Sequence, residues 1–168
     1  PRTVLAVAVL CAAALPAQRL LRDIETTKRD FPIEMTTVGS RVFFVATTVE
    51  DGAELWLTDG TPAGTRMVAD ITPDESGFGP CGLRAAGNRV VFSKPAHDRI
   101  PELWSSDGTA SGTQRFHRGD GSSSLDGSLA VAANGTIWFV GHDYEPWVSD
   151  GTPAGTRRAA DLNPSGGS

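Results

Sequence analysis

Cysteine is scarce in this chain of 168 residues, which carries only Cys11 and Cys81, and basic charge is scarce as well. Fifteen Lys and Arg face 20 Asp and Glu, for a formal net charge of −5. Phosphate binding needs clustered cations that release counterions, so no nucleic-acid partner is expected. There is no Gly-rich phosphate loop opening a helix and no Gly-x-Ser-x-Gly nucleophile elbow. After residue 17 no apolar stripe recurs at helical spacing. The longest apolar run, Val4 to Ala14, falls short of the about 20 residues that cross a bilayer, so no membrane span is expected.

That run follows Arg2 and precedes Leu15-Pro16-Ala17-Gln18, whose small residues suit a signal peptidase. Residues 1–17 are therefore expected to be a secretory signal peptide cleaved after Ala17, with Ala14 as the second choice. Leu10 stands before Cys11 where a lipobox takes Gly or Ala, so lipidation is not expected. Cleavage removes Arg2, shifts the net charge to −6 and leaves Cys81 alone. One cysteine makes no intrachain disulfide. Its neighbours Gly79, Pro80 and Gly82 offer no base, so Cys81 reads as a buried or turn residue and not as a nucleophile. The implied location is secreted, extracellular or cell-surface, with the periplasm as a further option.

What the sequence has in abundance is repetition. Glu54-Leu55-Trp56-Leu57-Thr58-Asp59-Gly60-Thr61-Pro62-Ala63-Gly64-Thr65 returns as Glu102-Leu103-Trp104-Ser105-Ser106-Asp107-Gly108-Thr109-Ala110-Ser111-Gly112-Thr113. It returns again as Glu145-Pro146-Trp147-Val148-Ser149-Asp150-Gly151-Thr152-Pro153-Ala154-Gly155-Thr156. The three Trp are 48 and then 43 residues apart, a period that indicates propellers or solenoids. Upstream of each signature a turn precedes an apolar run: Gly39-Ser40-Arg41-Val42-Phe43-Phe44, Gly87-Asn88-Arg89-Val90-Val91-Phe92 and Asn134-Gly135-Thr136-Ile137-Trp138-Phe139. Downstream, Arg66-Met67-Val68-Ala69-Asp70-Ile71 is echoed by Arg157-Arg158-Ala159-Ala160-Asp161-Leu162.

The first unit predicts strands near Glu34–Val38, Arg41–Thr47, Ala53–Thr58 and Thr65–Ile71, rich in Val, Phe, Trp and Thr with Gly, Asn and Asp between them. Four short antiparallel strands repeated at this period describe a β-propeller blade. A β-sandwich would leave near-identical turns at matching positions unexplained. The fold expected is all-β, with blades over residues 25–71, 72–118 and 119–162. Residues 18–24 are expected to form an N-terminal strand that closes the propeller, and residues 163–168 a linker to a missing blade. Three blades are below the usual number, so an open fragment of a larger propeller is expected.

The signatures closely resemble the ELWxxDGT repeat family of secreted bacterial proteins. The resemblance spans nearly all of the chain after residue 17 and implies a β-propeller. Two positions depart from the pattern: Pro146 replaces Leu, and Arg118 stands where Asp70 and Asp161 stand. Pro146 lacks a backbone donor, so an edge strand or bulge is expected there.

Chemistry is hard to place on residues that recur in every unit. Asp59, Asp107 and Asp150 start turns, where a carboxylate accepts a hydrogen bond from the N–H two residues on and Gly supplies positive φ. A Ca²⁺ site would need 6–8 oxygen ligands and lacks an alternating run of acids here, so no cofactor is expected and Ca²⁺ is the weaker reading. Trp56, Trp104 and Trp147 suit packing between blades better than sugar stacking. Glu54, Glu102 and Glu145 lie two residues before each Trp, hence on its side of the sheet, and are expected to satisfy backbone or Trp donors. His97, His117 and His142 form no zinc-like pair and are expected to be solvated turn residues. Asn134-Gly135-Thr136 fits a glycosylation sequon, but Asn-Gly is also the strongest hairpin-turn dipeptide and the turn suffices to account for it.

Catalytic residues are therefore expected to be none, and the function expected is that of an exported binding or interaction scaffold for an unidentified protein or glycan. The alternative is a secreted propeller hydrolase or lyase acting on carbohydrate, with its catalytic residues in blades absent from this chain. Fold analogy cannot choose between them.

Overall fold

The computed structural model describes residues 32–48, 50–73, 79–96, 98, 100–119, 129–162 and 164. The expected signal peptide, the strand at 18–24, His97 and all of the 163–168 linker but residue 164 lie outside the described residues.

Among the described residues twelve strands form three four-stranded antiparallel sheets and there is no helix. The first sheet runs in order β1 (Ile33–Val38), β2 (Arg41–Thr48), β3 (Gly52–Thr58), β4 (Arg66–Ala69). The second runs β5 (Cys81–Ala86), β6 (Arg89–Pro95), β7 (Pro101–Ser106), β8 (Gln114–Arg118), and the third β9 (Ala130–Val131), β10 (Ile137–Val140), β11 (Pro146–Ser149), β12 (Arg157–Arg158). Each is a simple meander. The described part of the chain is thus all-β and forms three four-stranded propeller blades.

The middle strands β2, β3 and β6 carry uninterrupted buried stretches, whereas β4 is half-buried at best on most of its length. A strand buried on both faces loses the polar alternation of a half-solvated one, which explains runs such as Val42-Phe43-Phe44-Val45. On one face of the first sheet Phe43, Val45, Leu55 and Leu57 join Leu83, Val90 and Phe92 of the second in a single core. The opposite face of the second sheet supplies Val91, Leu103 and Phe116, which join Ile137 and Phe139 of the third. Fully burying each such Phe or Leu contributes about 1.5–3 kcal/mol, so the seams between sheets are where the stack is held.

The seam between β1 and β5 has a polar element too. Glu34 sits at φ 59, at the irregularity of β1, and its Oε2 accepts the N–H groups of Gly82 at 3.1 Å and Leu83 at 3.3 Å. Thr36 Oγ1 donates to the Leu83 carbonyl at 2.9 Å.

Two expectations need correction. Pro146 lies neither at an edge nor in a bulge: it opens β11, an inner strand, and pairs in regular register with Val140. The first residue of a strand tolerates a missing N–H, and the Pro146 carbonyl still accepts Ala159 N at 2.7 Å. The fourth strand of the first unit stops at Ala69 instead of Ile71 because the N–H groups of Ile71 and Thr72 go to a side chain.

Candidate functional site

The residues that recur meet in two places, the loop after the third strand of each sheet and the seam it faces. In the first loop Asp59 Oδ1 accepts from Thr61 N at 2.9 Å and from Thr61 Oγ1 at 2.7 Å. Thr61 Oγ1 accepts from Gly64 N at 2.9 Å, and Thr65 Oγ1 donates to the Thr61 carbonyl at 2.7 Å. Since a hydroxyl has one proton, Thr58 Oγ1 must be the donor in its 2.7 Å contact with Thr65 Oγ1, while it accepts from Gly60 N at 3.0 Å. The hydroxyls of Thr58, Thr61 and Thr65 thus each donate once.

The other two loops repeat this pattern. Asp107 accepts from Thr109 N and Oγ1 at 2.9 and 2.7 Å, and Asp150 from Thr152 N and Oγ1 at 2.8 and 2.7 Å. Ser106 with Thr113 and Ser149 with Thr156 stand in for Thr58 with Thr65. The Thr hydroxyl, and after it the Thr backbone N–H, holds each of Asp59, Asp107 and Asp150 below the usual carboxylate range. These acids are ionised, with Oδ1 engaged by their own loop.

The two glycines of each loop are there for different reasons. Gly60, Gly108 and Gly151 have φ near 90° (89°, 92° and 88°), a left-handed conformation that side chains rarely adopt. The second glycine leaves room for the carboxylate: a Cβ on Gly64, Gly112 or Gly155 would lie 2.0, 2.1 or 2.1 Å from the Asp Oδ1 of its own loop.

The first glycine also carries the loop's contact with the preceding sheet. The Gly108 carbonyl accepts Arg66 Nη2 at 2.6 Å, and Arg41 Nη1 donates to the adjacent Asp107 carbonyl at 2.8 Å. At the next seam the Gly151 carbonyl accepts Ser105 Oγ at 2.6 Å. A Cβ on Gly108 would come within 2.7 Å of Arg41 Nη1 and 3.0 Å of Leu57 Cδ2, whereas one on Gly60 would meet nothing within 4 Å. Arg41, Arg66 and Ser105 were not singled out from sequence. The traces of their role in the sequence are the recurrence of Arg41 as Arg89 in the upstream unit and of Arg66 as Arg157 in the downstream one.

The repeated glutamates are all buried. Glu54 accepts from Ile71 N at 2.9 Å, Thr72 N at 2.8 Å and the Thr72 hydroxyl. Burial raises its pKa, and the Thr72 and Ile71 hydrogen bonds oppose that rise only in part. Glu145 accepts from Leu162 N at 2.7 Å, the position equivalent to Ile71. Glu102 instead takes Trp104 Nε1 at 3.0 Å and pairs with Arg115, with Arg118 Nε 3.9 Å away.

One histidine departs from expectation, while His142 stands in the turn between β10 and β11 where it was expected. His117 lies on β8, not in a turn, and its ring packs half-buried against Phe139 (4.6 Å between centroids) and Trp147 (5.2 Å). His142 stacks with His117 at 6.2 Å. Desolvation, then the proximity of His142, lowers the His117 pKa. Below them Asp143 binds Trp147 Nε1 at 3.0 Å and Arg158 Nη2 at 2.5 Å. Burial alone would raise Asp143, but these hydrogen bonds outweigh it and bring it to about 2. Among the described residues no three His, Cys, Asp or Glu side chains are grouped to hold a metal ion, and no helix is long and apolar enough to cross a membrane.

No family model and no curated protein matches this chain. Among solved structures it is similar to the β-propeller domain of the Trilobed protease from Pyrococcus furiosus, described as having an open velcro topology. The identity is 16% and the TM-score 0.48, over 79% of this chain and 44% of the other, so the chain spans less than half the length of that structure. The blade assignment rests on the three sheets themselves.

Proposed function

We propose that this chain belongs to the ELWxxDGT repeat family and forms part of an exported scaffold that binds a protein or glycan. The observation that carries this reading is the repeated employment of the polar signature residues. In all three loops Asp and Thr bond to one another, and at both seams the loop glycine carbonyl takes a donor from the sheet before it. Groups committed in this way to building and stacking sheets leave recognition to the residues that differ between blades, as in repeat proteins generally. Export is supported by the apolar run Val4 to Ala14 between Arg2 and Ala17.

The test is a glycan and protein array screened with the protein recovered from the medium of an expressing culture. The expected result is a saturable hit that survives Asp107→Asn. Absence of any hit, together with release of sugar from a polysaccharide panel, would replace the scaffold reading with that of a secreted hydrolase or lyase.

A further inference from the structure

His117 differs from the residues at its sister positions. It pairs with Leu103 as Ala69 pairs with Leu55 in the first sheet, and the third sheet has Ala160 at this place. A methyl group thus gives way to an imidazole on the face that meets the third sheet, where the ring lies against Phe139 of β10 and Trp147 of β11. Its Nε2 is buried and has no hydrogen-bond partner among the described residues. A neutral ring is tolerable there, but an imidazolium carries two N–H groups and a charge, and each N–H needs an acceptor.

The charged groups around the ring are already committed. The turn between β10 and β11 brings His142, with its ring 6.2 Å away, and Asp143. Asp143 Oδ1 is taken by Trp147 Nε1 and Glu145 N, and its Oδ2 by Arg158. Glu145 accepts Leu162 N, and the cation Arg158 of β12 is held between Asp143 and Asp161. Tyr144 of the same turn is exposed. On the second sheet Lys94, Glu102, Arg115 and Arg118 lie on the opposite face with Trp104, which packs toward the first sheet, and Asp98 is paired with Arg118.

We propose that the seam between the second and third sheets is an acid-sensitive joint, in which protonation of His117 loosens the third sheet from the second. The seam between the first and second sheets has no histidine among the described residues and keeps its hold. The two states are a docked seam with a neutral His117 and a parted one whose His117 stands in water and takes a proton. Burial, then His142, holds the docked ring below the 6.5 of a free imidazole, against the pull of Asp143. Between that lowered value and 6.5 the parted state binds a proton that the docked state does not. Docking is therefore complete above 6.5 and weakens as pH falls through the window, the parted fraction rising by up to about tenfold per unit of pH. Protonation of histidines at an interface is a general means of parting it in mild acid.

The test is hydrogen exchange of the full chain from about pH 7.5 to about pH 5.5, read by peptide mass spectrometry and corrected for the pH dependence of intrinsic exchange. Peptides covering β10 and β11 are expected to lose protection as pH falls, by up to about tenfold per unit, and those covering β2 and β3 to lose none. His117→Ala restores the residue of the sister positions, and His117→Gln keeps a polar side chain that does not titrate. Each is expected to abolish the pH dependence of β10 and β11, whatever it does to overall stability. A flat wild-type profile for β10 and β11, or an equal loss in β2 and β3, overturns the proposal. So does the same slope in both His117 variants, because the proton would then be taken up elsewhere. A gain of protection on acidification overturns it as well, since the rings of Phe139 and Trp147 would then be holding the imidazolium.

Discussion

Replacing Gly112 with Ala tests whether the second loop glycine exists to admit the aspartate. The new Cβ would stand 2.1 Å from Asp107 Oδ1 and 2.2 Å from Oδ2, so the carboxylate must leave its place. It then loses the bonds from Thr109 N and Oγ1, at about 1 kcal/mol net for each. Gly112 is not among the positive-φ residues, so Ala also narrows the unfolded ensemble and returns about 0.5 kcal/mol. The net loss is about 1.5 kcal/mol, which for a chain of this size lowers the melting temperature by roughly 3–6 °C. The sharper measurement is a double-mutant cycle by urea unfolding. Asp107→Ala alone removes the same two bonds, so Gly112→Ala added to it has no carboxylate to displace and recovers the gain in chain entropy. The expected coupling is about 2 kcal/mol, far outside the additivity seen for independent sites. Additive losses would refute the steric account of this glycine.

Gly108→Ala and Gly60→Ala both place a side chain at φ near 90°, but only Gly108 is packed under the preceding sheet, against Arg41 and Leu57. Gly108→Ala is therefore expected to destabilise more than Gly60→Ala in urea unfolding, and equal losses would mean that the seam does not press on the loop. Burial raises the Glu54 pKa above 4.5 in the folded state, so between pH 4.5 and that raised value the folded protein holds a proton the unfolded chain has released. Stability then falls as pH rises through this window, and wild-type stability measured against Glu54→Gln should decline there. Asp143 acts in the opposite sense: its pKa of about 2, below 3.8, gives stability that is present above pH 3.8 and lost as pH falls toward 2. Comparison with Asp143→Asn by thermal melts from pH 2 to 5 should show the wild-type advantage disappearing on the acid side, and a constant advantage would count against the ionised Asp143–Arg158 contact.

What could be read from the sequence was what depends on near neighbours. The strands followed from β-branched and aromatic runs between turn residues, and the Asp-Gly-Thr turn from partners two residues apart, as with Asp59 and Thr61. The donors across the seams could not be read in the same way. Arg66 and Gly108 are 42 residues apart, Ser105 and Gly151 46, and the second seam uses a serine where the first uses an arginine. Only the stacking of sheets brings such pairs together. His117 was misjudged for the same reason: His142 does stand in the hairpin its offset suggested, but the third sheet brings Phe139 and Trp147 up to His117 on the second. Pro146 was misplaced because the rule against proline in inner strands relaxes at a strand's first residue.

The glutamates show how one repeated residue type is accommodated when its surroundings change. A buried carboxylate is tolerable only with its lone pairs occupied. In the first and third sheets the chain beyond the fourth strand supplies backbone N–H groups, those of Ile71 and Thr72 for Glu54 and that of Leu162 for Glu145, 17 residues on in each sheet. In the second sheet the equivalent residue is Gly119, whose N–H is already given to the Pro101 carbonyl at 2.9 Å. Glu102 therefore needs another source of positive charge, and it is met by Arg115 at the position of Met67 and Arg118 at the position of Asp70. The arginine that breaks the downstream pattern is thus tied to the lost backbone donor. Asp70, at the same position in the first sheet, only repels Glu54, whose carboxylate is satisfied there by the Ile71 and Thr72 N–H groups and needs no cation.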